Sequence, residues 1–94
     1  MKFEWDENKS AANQEKHGIS FREAREIWRE FTYSQLDTRH NYGEPRWMVL
    51  GELSQHGIVM VVHTLRGARI RIISARKANY KEREVYRGHF KKAH

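Results

Sequence analysis

The stretch from Arg46 to Ser74, RWMVLGELSQHGIVMVVHTLRGARIRIIS, decides the fold because it reads as three strands separated by two turns. The strands are predicted over residues 46–53, 58–64 and 69–74, and each turn between them contains a glycine. Connections this short cannot contain the crossover that parallel neighbours require. The stretch is therefore predicted to form an antiparallel meander.

Two further strands and two helices are predicted before this meander. Residues 2–5 alternate as a short strand that buries Phe3 and Trp5, and residues 32–37 form another strand. Asp6 is placed to cap a helix over residues 7–17 that ends at Gly18. A second helix begins at a capping box. The box consists of Ser20 and Glu23, and the apolar stripe of the helix of Phe21, Ala24, Ile27, Trp28 and Phe31.

A third helix follows the meander. Asn79 and Glu82 form a second capping box, and the helix is predicted from about Tyr80 to Gly88 with Val85 and Tyr86 facing inward. The chain is therefore predicted to be an α+β fold, in which an antiparallel meander packs against two N-terminal helices and one C-terminal helix. Residues 1–94 form one domain, with a short tail after about residue 88 that is expected to fray.

Composition excludes several classes of protein. The chain has no cysteine, which excludes disulfides and cysteine-based zinc sites. No apolar run is long enough to cross a bilayer, and residues 1–6 lack the apolar segment of a signal peptide. We therefore expect no membrane association and a cytoplasmic location.

Charge is distributed unevenly along the chain. Residues 1–64 contain 8 Lys/Arg and 10 Asp/Glu, whereas residues 65–94 contain 10 Lys/Arg and 2 Asp/Glu. Such asymmetry indicates one basic surface that faces a polyanion, and nucleic acid is the commonest polyanion in the cytosol. A solvated basic face and a surface that meets an acidic protein are the alternatives.

The segment from Arg69 to Lys77 supplies the best candidate for a binding surface. Alternation places Ile70, Ile72 and Ser74 on one face of the strand and Arg69, Arg71 and Ile73 on the other. The cations Arg76 and Lys77 follow the end of the strand. An open sheet face with several arginines could bind phosphate, because guanidinium groups match phosphate oxygens. Ordinary solvated arginines explain the pattern equally well.

His63 is the one histidine that the pattern places on a strand, on the same face as Val59 and Val61. Histidine serves as an acid or base near neutral pH, although a lone strand histidine is more often structural. The histidines lack metal-ligand spacing, and the chain has no phosphate-binding glycine motif, so neither a metal nor a cofactor is predicted.

A basic sheet face with one histidine could cleave RNA without a metal ion. The 2′-hydroxyl of RNA is the nucleophile, so the protein needs only a base, a proton donor and positive charge for the developing phosphorane. DNA lacks this hydroxyl and would bind without being cut.

Residues along most of the chain resemble the BrnT toxin family, from about residue 3 to residue 87. The N-terminal part of the resemblance consists of Phe3, Trp5, Asp6, Lys9, Asn13, the segment from Lys16 to Phe21, and Ala24. The middle consists of Tyr42, Gly43, Glu44, Arg46 and Gly51. The last and most specific part consists of the segment from Arg71 to Arg76, then Ala78, Glu82, Arg83 and Tyr86.

The resemblance implies a RelE-like fold and a ribonuclease that inhibits translation and growth. It implies neutralisation by a BrnA-type antitoxin in a dimer of heterodimers, RNA as the substrate (including mRNA on the ribosome), and contact with DNA only through the antitoxin. A non-catalytic nucleic-acid-binding module and a protein-facing subunit that use the same basic face are the alternatives.

The polar positions carried over from the family are Lys16, His17, Arg46, Arg71, Ser74 and Arg76. The hypothesis for catalysis places Arg71 and Arg76 on the scissile phosphate and His63 as acid or base, with Arg46 and Ser74 in support. The residues expected to bind RNA are Lys16, His17, Arg69, Lys77, Lys81 and Arg83.

Overall fold

The three strands of the central stretch are antiparallel neighbours within a five-stranded sheet, in a computed structural model that describes residues 1–94. The elements in chain order are β1 (Lys2–Glu4), α1 (Glu7–His17), α2 (Phe21–Ala24), a 3₁₀ helix (Arg25–Arg29), β2 (Thr32–Leu36), β3 (Trp47–Leu53), β4 (Gly57–Arg66), β5 (Arg69–Lys77) and α3 (Tyr80–Ala93). None of the helices has the length and apolar character needed to cross a membrane. The predicted α+β class is confirmed.

The sheet is mixed, with the order β1-β5-β4-β3-β2, so the purely antiparallel sheet predicted from the sequence is wrong. The short turns do make β2 to β5 antiparallel, but β1 pairs in parallel with β5, and Phe3 lies opposite Ile70. The rule about short connections does not apply to this pair, because most of the chain lies between its two strands.

Helices cover the two faces of the sheet unequally. α1, α2 and the 3₁₀ helix cover one face, here called the α1/α2 face, and α3 covers part of the other, here called the α3 face. The core on the α1/α2 face consists of Ile19, Phe21, Ala24, Ile27, Val49, Leu53, Val59, Val61, Ile70, Ile72 and Ala75. The smaller cluster on the α3 face consists of Leu50, Met60, Ala78 and Tyr86.

The predicted second helix is shorter than its apolar pattern indicates. It tightens into the 3₁₀ helix after Ala24, and Phe31 packs on the α3 face instead of continuing the stripe. Ile27 lies so close to β3 that a Cβ on Gly51 would be 2.7 Å from the Cβ of Ile27. Glycine at position 51 therefore allows the 3₁₀ helix to approach the sheet.

α3 continues to Ala93, so the predicted end at about Gly88 is wrong, and the residues of the tail that was expected to fray are helical. The additional turns are held by Phe90, whose ring packs against Phe31 and Tyr86 with centroids 5.8 and 6.1 Å apart. Tyr86 is buried as predicted, but Val85 faces solvent with 43% of its surface exposed.

A β-bulge in β5 changes which side chains share a face. Ser74 pairs with Val62 and Ile72 pairs with His63, which leaves Ile73 without a partner in β4. The extra residue reverses the alternation, so the core receives Ala75 rather than Ser74. The prediction that Ser74 shares a face with Ile70 and Ile72 is therefore wrong. β5 also extends beyond the predicted end, to Lys77.

The buried side chain of Asn13 fixes α1 on β5 beside this bulge. Its amide nitrogen donates to the carbonyl oxygens of Ile19 and Ala75, both at 2.8 Å, and its amide oxygen accepts from the Ala75 N–H at 3.1 Å. β1 ends opposite Arg71, so Asn13 provides the backbone of Ala75 with the hydrogen bonds that a neighbouring strand would otherwise supply.

His63 lies on the face that the sequence predicts, in the core of the α1/α2 face. Only 7% of its surface is exposed, and its ring meets the ring of Trp28 edge-on with centroids 5.5 Å apart. Its Nδ1 lies 3.3 Å from the carbonyl oxygen of Thr64. Burial lowers the pKa of His63 below its ordinary value, because the charged ring loses solvation.

Replacing Asn13 with alanine is expected to destabilise the fold by about 3 kcal/mol, because it leaves three buried backbone groups without partners. Urea unfolding of Asn13→Ala beside Asn8→Ala, an exposed position on the same helix, provides the measurement. The control is expected to change the free energy of unfolding by less than about 0.5 kcal/mol. Equal stability of the two variants would contradict the role assigned to Asn13.

Protonation of His63 is expected to destabilise the protein as the pH falls below about 6.5, its ordinary pKa. The folded-state pKa lies lower, so the unfolded chain binds the proton first, and the free energy of unfolding falls with pH across that interval. Urea unfolding at pH 7.5, 6.5 and 5.5 should show this slope, and His63→Gln should flatten it. An unchanged slope in the variant would assign the pH dependence to another group.

Candidate active site

The β-bulge brings three of the predicted catalytic residues onto one face of the sheet. Arg71, Ser74 and Arg76 lie along β5 on the α3 face. Trp47 pairs with His63, and Thr64, the next residue of β4, pairs with Arg71. Arg46, which precedes Trp47, therefore lies across β4 from Arg71. These four residues, here called the arginine platform, extend along the face from Arg46 and Arg71, near the β4–β5 turn, to Arg76, near the start of α3. Neighbouring strands are about 4.8 Å apart, so Arg46 and Arg71 are separated by roughly 10 Å of backbone.

Carboxylates hold the two platform arginines of β5 in place. Arg71 donates to Glu4 at 2.7 Å, across the parallel pairing of β1 with β5. Arg76 donates to both oxygens of Glu82, at 2.8 and 2.9 Å. This bidentate hydrogen bond raises the pKa of Arg76 and lowers the pKa of Glu82. The guanidinium groups are therefore charged and fixed before any ligand arrives.

Glu82 also connects Arg76 to the start of α3. The same carboxylate accepts from the backbone N–H of Asn79 at 2.9 Å, and the side chain of Asn79 accepts from the N–H of Glu82, also at 2.9 Å. The capping box predicted from Asn79 and Glu82 is confirmed. It has a second role, because the residue that caps the helix also orients an arginine of the platform.

The loop between β2 and β3 is organised around the buried carboxylate of Asp37. Two nitrogens of Arg39 donate to it, both at 2.9 Å, and the hydroxyl of Tyr42 donates at 3.1 Å. The hydrogen bonds from Arg39 hold the pKa of Asp37 well below its usual range. The guanidinium of Arg46 lies over the ring of Tyr42, and its central carbon is 4.2 Å from the ring centroid. Asp37 and Tyr42 therefore orient Arg46.

Arg39 and Tyr42 belong to the site, and the sequence did not assign them a role. The pKa of Arg76 is raised chiefly by Glu82, and the charge of Arg39 opposes that rise slightly while adding to the lowering of the pKa of Glu82. The loop arginine therefore lies near the end of the platform at the start of α3. Strand alternation could not place a residue of a ten-residue polar loop. The usable signal was the local pairing of Asp37 with Arg39 and Tyr42.

Cations and carboxylates at the site are nearly balanced. The arginines near the platform are Arg39, Arg46, Arg66, Arg71 and Arg76, and their partners are Glu4, Asp37, Glu44 and Glu82. A phosphate that binds here therefore shares these arginines with carboxylates or displaces the carboxylates. The buried Nε of Arg46 has no hydrogen-bond partner, and it lies 3.7 Å from Glu44.

His63 does not join the platform. It lies among the core residues of the α1/α2 face, on the opposite side of the sheet from Arg71 and Arg76. The prediction of its face is confirmed, but the bulge separates it from Ser74, which the sequence had placed on the same side as the core isoleucines.

The residues predicted to bind RNA are dispersed over the surface. Lys16 and His17 end α1 on the α1/α2 side. Arg69 and Lys77 stand at opposite ends of β5, about 27 Å apart at roughly 3.4 Å per residue. The remaining two, Lys81 and Arg83, lie in the first turn of α3. No group of three or more His, Asp or Glu side chains converges as a metal site would require.

Comparison with known proteins identifies the family. The model of "Ribonuclease toxin, BrnT, of type II toxin-antitoxin system" matches residues 5–82, which include all four residues of the platform. The chain is 28% identical to the Brucella abortus ribonuclease toxin BrnT, known from a 1.1 Å crystal structure, with a TM-score of 0.64. The alignment covers 84% of this chain and 97% of the Brucella chain. No curated protein sequence matches. The chain therefore belongs to the BrnT family, the ribonuclease toxins of type II toxin–antitoxin systems.

Proposed function

We propose that the arginine platform is the ribonuclease site and that it cleaves RNA without a metal ion. The observation that supports this proposal is the bulge in β5, because it gathers Arg71, Ser74 and Arg76 on an uncovered part of the sheet opposite Arg46. Carboxylates nearby are already engaged with arginines, so the groups offered to a substrate are cationic.

Arg71 and Arg76 bind the scissile phosphate in this proposal. The 2′-hydroxyl of the substrate gives its proton to solvent water, and the 2′-oxygen attacks the phosphorus. The bond to the 5′-oxygen breaks as that oxygen takes a proton from solvent water, and the products are a 2′,3′-cyclic phosphate and a 5′-hydroxyl. Charge builds on the phosphate oxygens during this step, and fixed guanidinium groups stabilise that charge without reorganising. Arg46 and Ser74 support the phosphate from the neighbouring positions.

Substrate binding requires an exchange of partners. Glu4 and Glu82 hold Arg71 and Arg76 in the free protein, and the phosphate replaces or shares these contacts. The carboxylates orient the arginines beforehand, which reduces the entropy lost on binding. His63 packs the core in this proposal and transfers no proton, since the sheet separates it from the platform.

The family is the basis for proposing the antitoxin partner, the cellular effect and the location. We propose a BrnA-type antitoxin that assembles with this chain as a dimer of heterodimers, and inhibition of translation in the cytoplasm as the result of RNA cleavage. The RelE-like description of the fold also belongs to this proposal. Lys16, His17, Arg69, Lys77, Lys81 and Arg83 remain proposed contacts for the flanking RNA, and Arg69 and Lys77 are the two that lie on the platform strand.

Replacing either Arg71 or Arg76 with alanine is expected to lower RNA cleavage by about 100-fold, the typical loss for one charge-stabilising donor. The measurement uses the purified toxin, free of antitoxin, with end-labelled RNA in excess EDTA. Wild-type protein should produce 2′,3′-cyclic phosphate ends, and an RNA with a 2′-deoxy residue at the cleaved position should stay intact.

Arg29→Ala is the matched control, because Arg29 also pairs with a carboxylate but lies on the opposite side of the sheet. It should cleave as wild type does, and so should His63→Gln at neutral pH. Full activity in folded Arg71→Ala and Arg76→Ala would reject the platform as the site. Activity that disappears in EDTA would reject the metal-free step.

A further inference from the structure

α3 and the start of β4 enclose an open groove of about 610 Å³ on the α3 face, next to the end of the platform at Arg76. Its floor is apolar and consists of Ile58, Ala78, Tyr86 and Phe90. The remaining residues that line it are Glu52, His56, Gly57, Lys77, Arg83, Arg87 and Lys91. This cavity is called the α3 groove below.

The rim of the α3 groove carries a regular row of cations. Arg83, Arg87 and Lys91 recur every four residues, so they form one stripe along about 12 Å of α3. Lys77 adds a fourth cation at the end of β5. None of the four lies within 4.0 Å of a carboxylate, in contrast to the arginines of the platform. The positive charge of this rim is therefore available to a partner.

An apolar floor beside a cationic stripe is complementary to an acidic amphipathic helix. Such a helix buries its apolar residues in the groove and aligns carboxylates, spaced by three or four residues, with the stripe. RNA fits this surface less well, because most protein contacts to nucleic acid go to phosphate and sugar, and these polar groups do not pack on an apolar floor. Phe90, a floor residue with 40% of its surface exposed, would stabilise such a complex when a protein partner buries it.

We propose that the α3 groove binds an acidic, apolar-faced helix of the antitoxin. The proposal rests on the membership of the family, which gives the toxin a protein antitoxin, and it identifies the surface and the kind of segment that meet. The groove reaches Ala78 and Arg83, next to the Arg76–Glu82 pair. A helix bound there lies beside the platform and hinders the approach of RNA.

Reversing two charges of the stripe, Arg87→Glu with Lys91→Glu, is expected to weaken the affinity for the antitoxin by about tenfold or more. The measurement is isothermal titration of purified toxin with the antitoxin encoded beside it, at low and high salt. The affinity of the wild-type protein should fall with salt more steeply than that of the variant. RNA cleavage by the free variant should stay at the wild-type level.

The matched control is Arg22→Glu with Lys92→Glu, which changes the net charge equally at two exposed positions outside the groove. Thermal unfolding of both variants checks that α3 is intact. Unchanged antitoxin affinity in the groove variant would overturn the proposal, and so would lost RNA binding with an intact complex. The titration does not depend on cleavage, so an inactive platform and a wrong groove give different results.

Discussion

The hydrogen bonds of Asn13 to Ala75 are the interaction on which the rest of this structure depends. β1 is only three residues long, so the edge of β5 beyond Arg71 has no neighbouring strand. The amide of Asn13 satisfies that edge with both a donor and an acceptor, two residues after the unpaired Ile73. It thereby fixes α1 on the sheet and keeps Ala75 in the core, which turns Ser74 and Arg76 toward the other face.

Opposing demands shape the arginine platform. Arginines that bind phosphate must be charged and ordered, but several unpaired guanidinium groups on a small sheet would repel one another. Pairing Arg71 with Glu4 and Arg76 with Glu82 resolves this repulsion in the free protein, and it takes the carboxylates from elements that pack beside β5. In the proposed function, RNA that binds the platform therefore exchanges one anion for another and does not fill a vacant site.

Sequence patterns predicted the features that depend on local chemistry. The caps at Asp6, Ser20 and Asn79, the left-handed Gly18 and the strands of the meander all follow from residues that are close in the chain, and the structure confirms them. The β-bulge and the parallel pairing of β1 depend on contacts between distant residues, so strict alternation failed from Ser74 onward. α3 was predicted too short because the contacts of Phe90 with Phe31 join positions 59 residues apart. Which residues act in catalysis stays a prediction.

All of α3 beyond Glu82 lies outside the stretch that the family model matches. This later segment supplies the cationic stripe of the α3 groove and two residues of its floor, Tyr86 and Phe90, whereas the whole platform comes from the earlier one. In the two proposals, antitoxin recognition therefore depends largely on residues after Glu82, and RNA cleavage depends on residues before it. A cell that carries several toxins of this kind could then keep each one paired with its own antitoxin, because substitutions in the last helix would change antitoxin binding and leave the proposed catalytic residues unchanged.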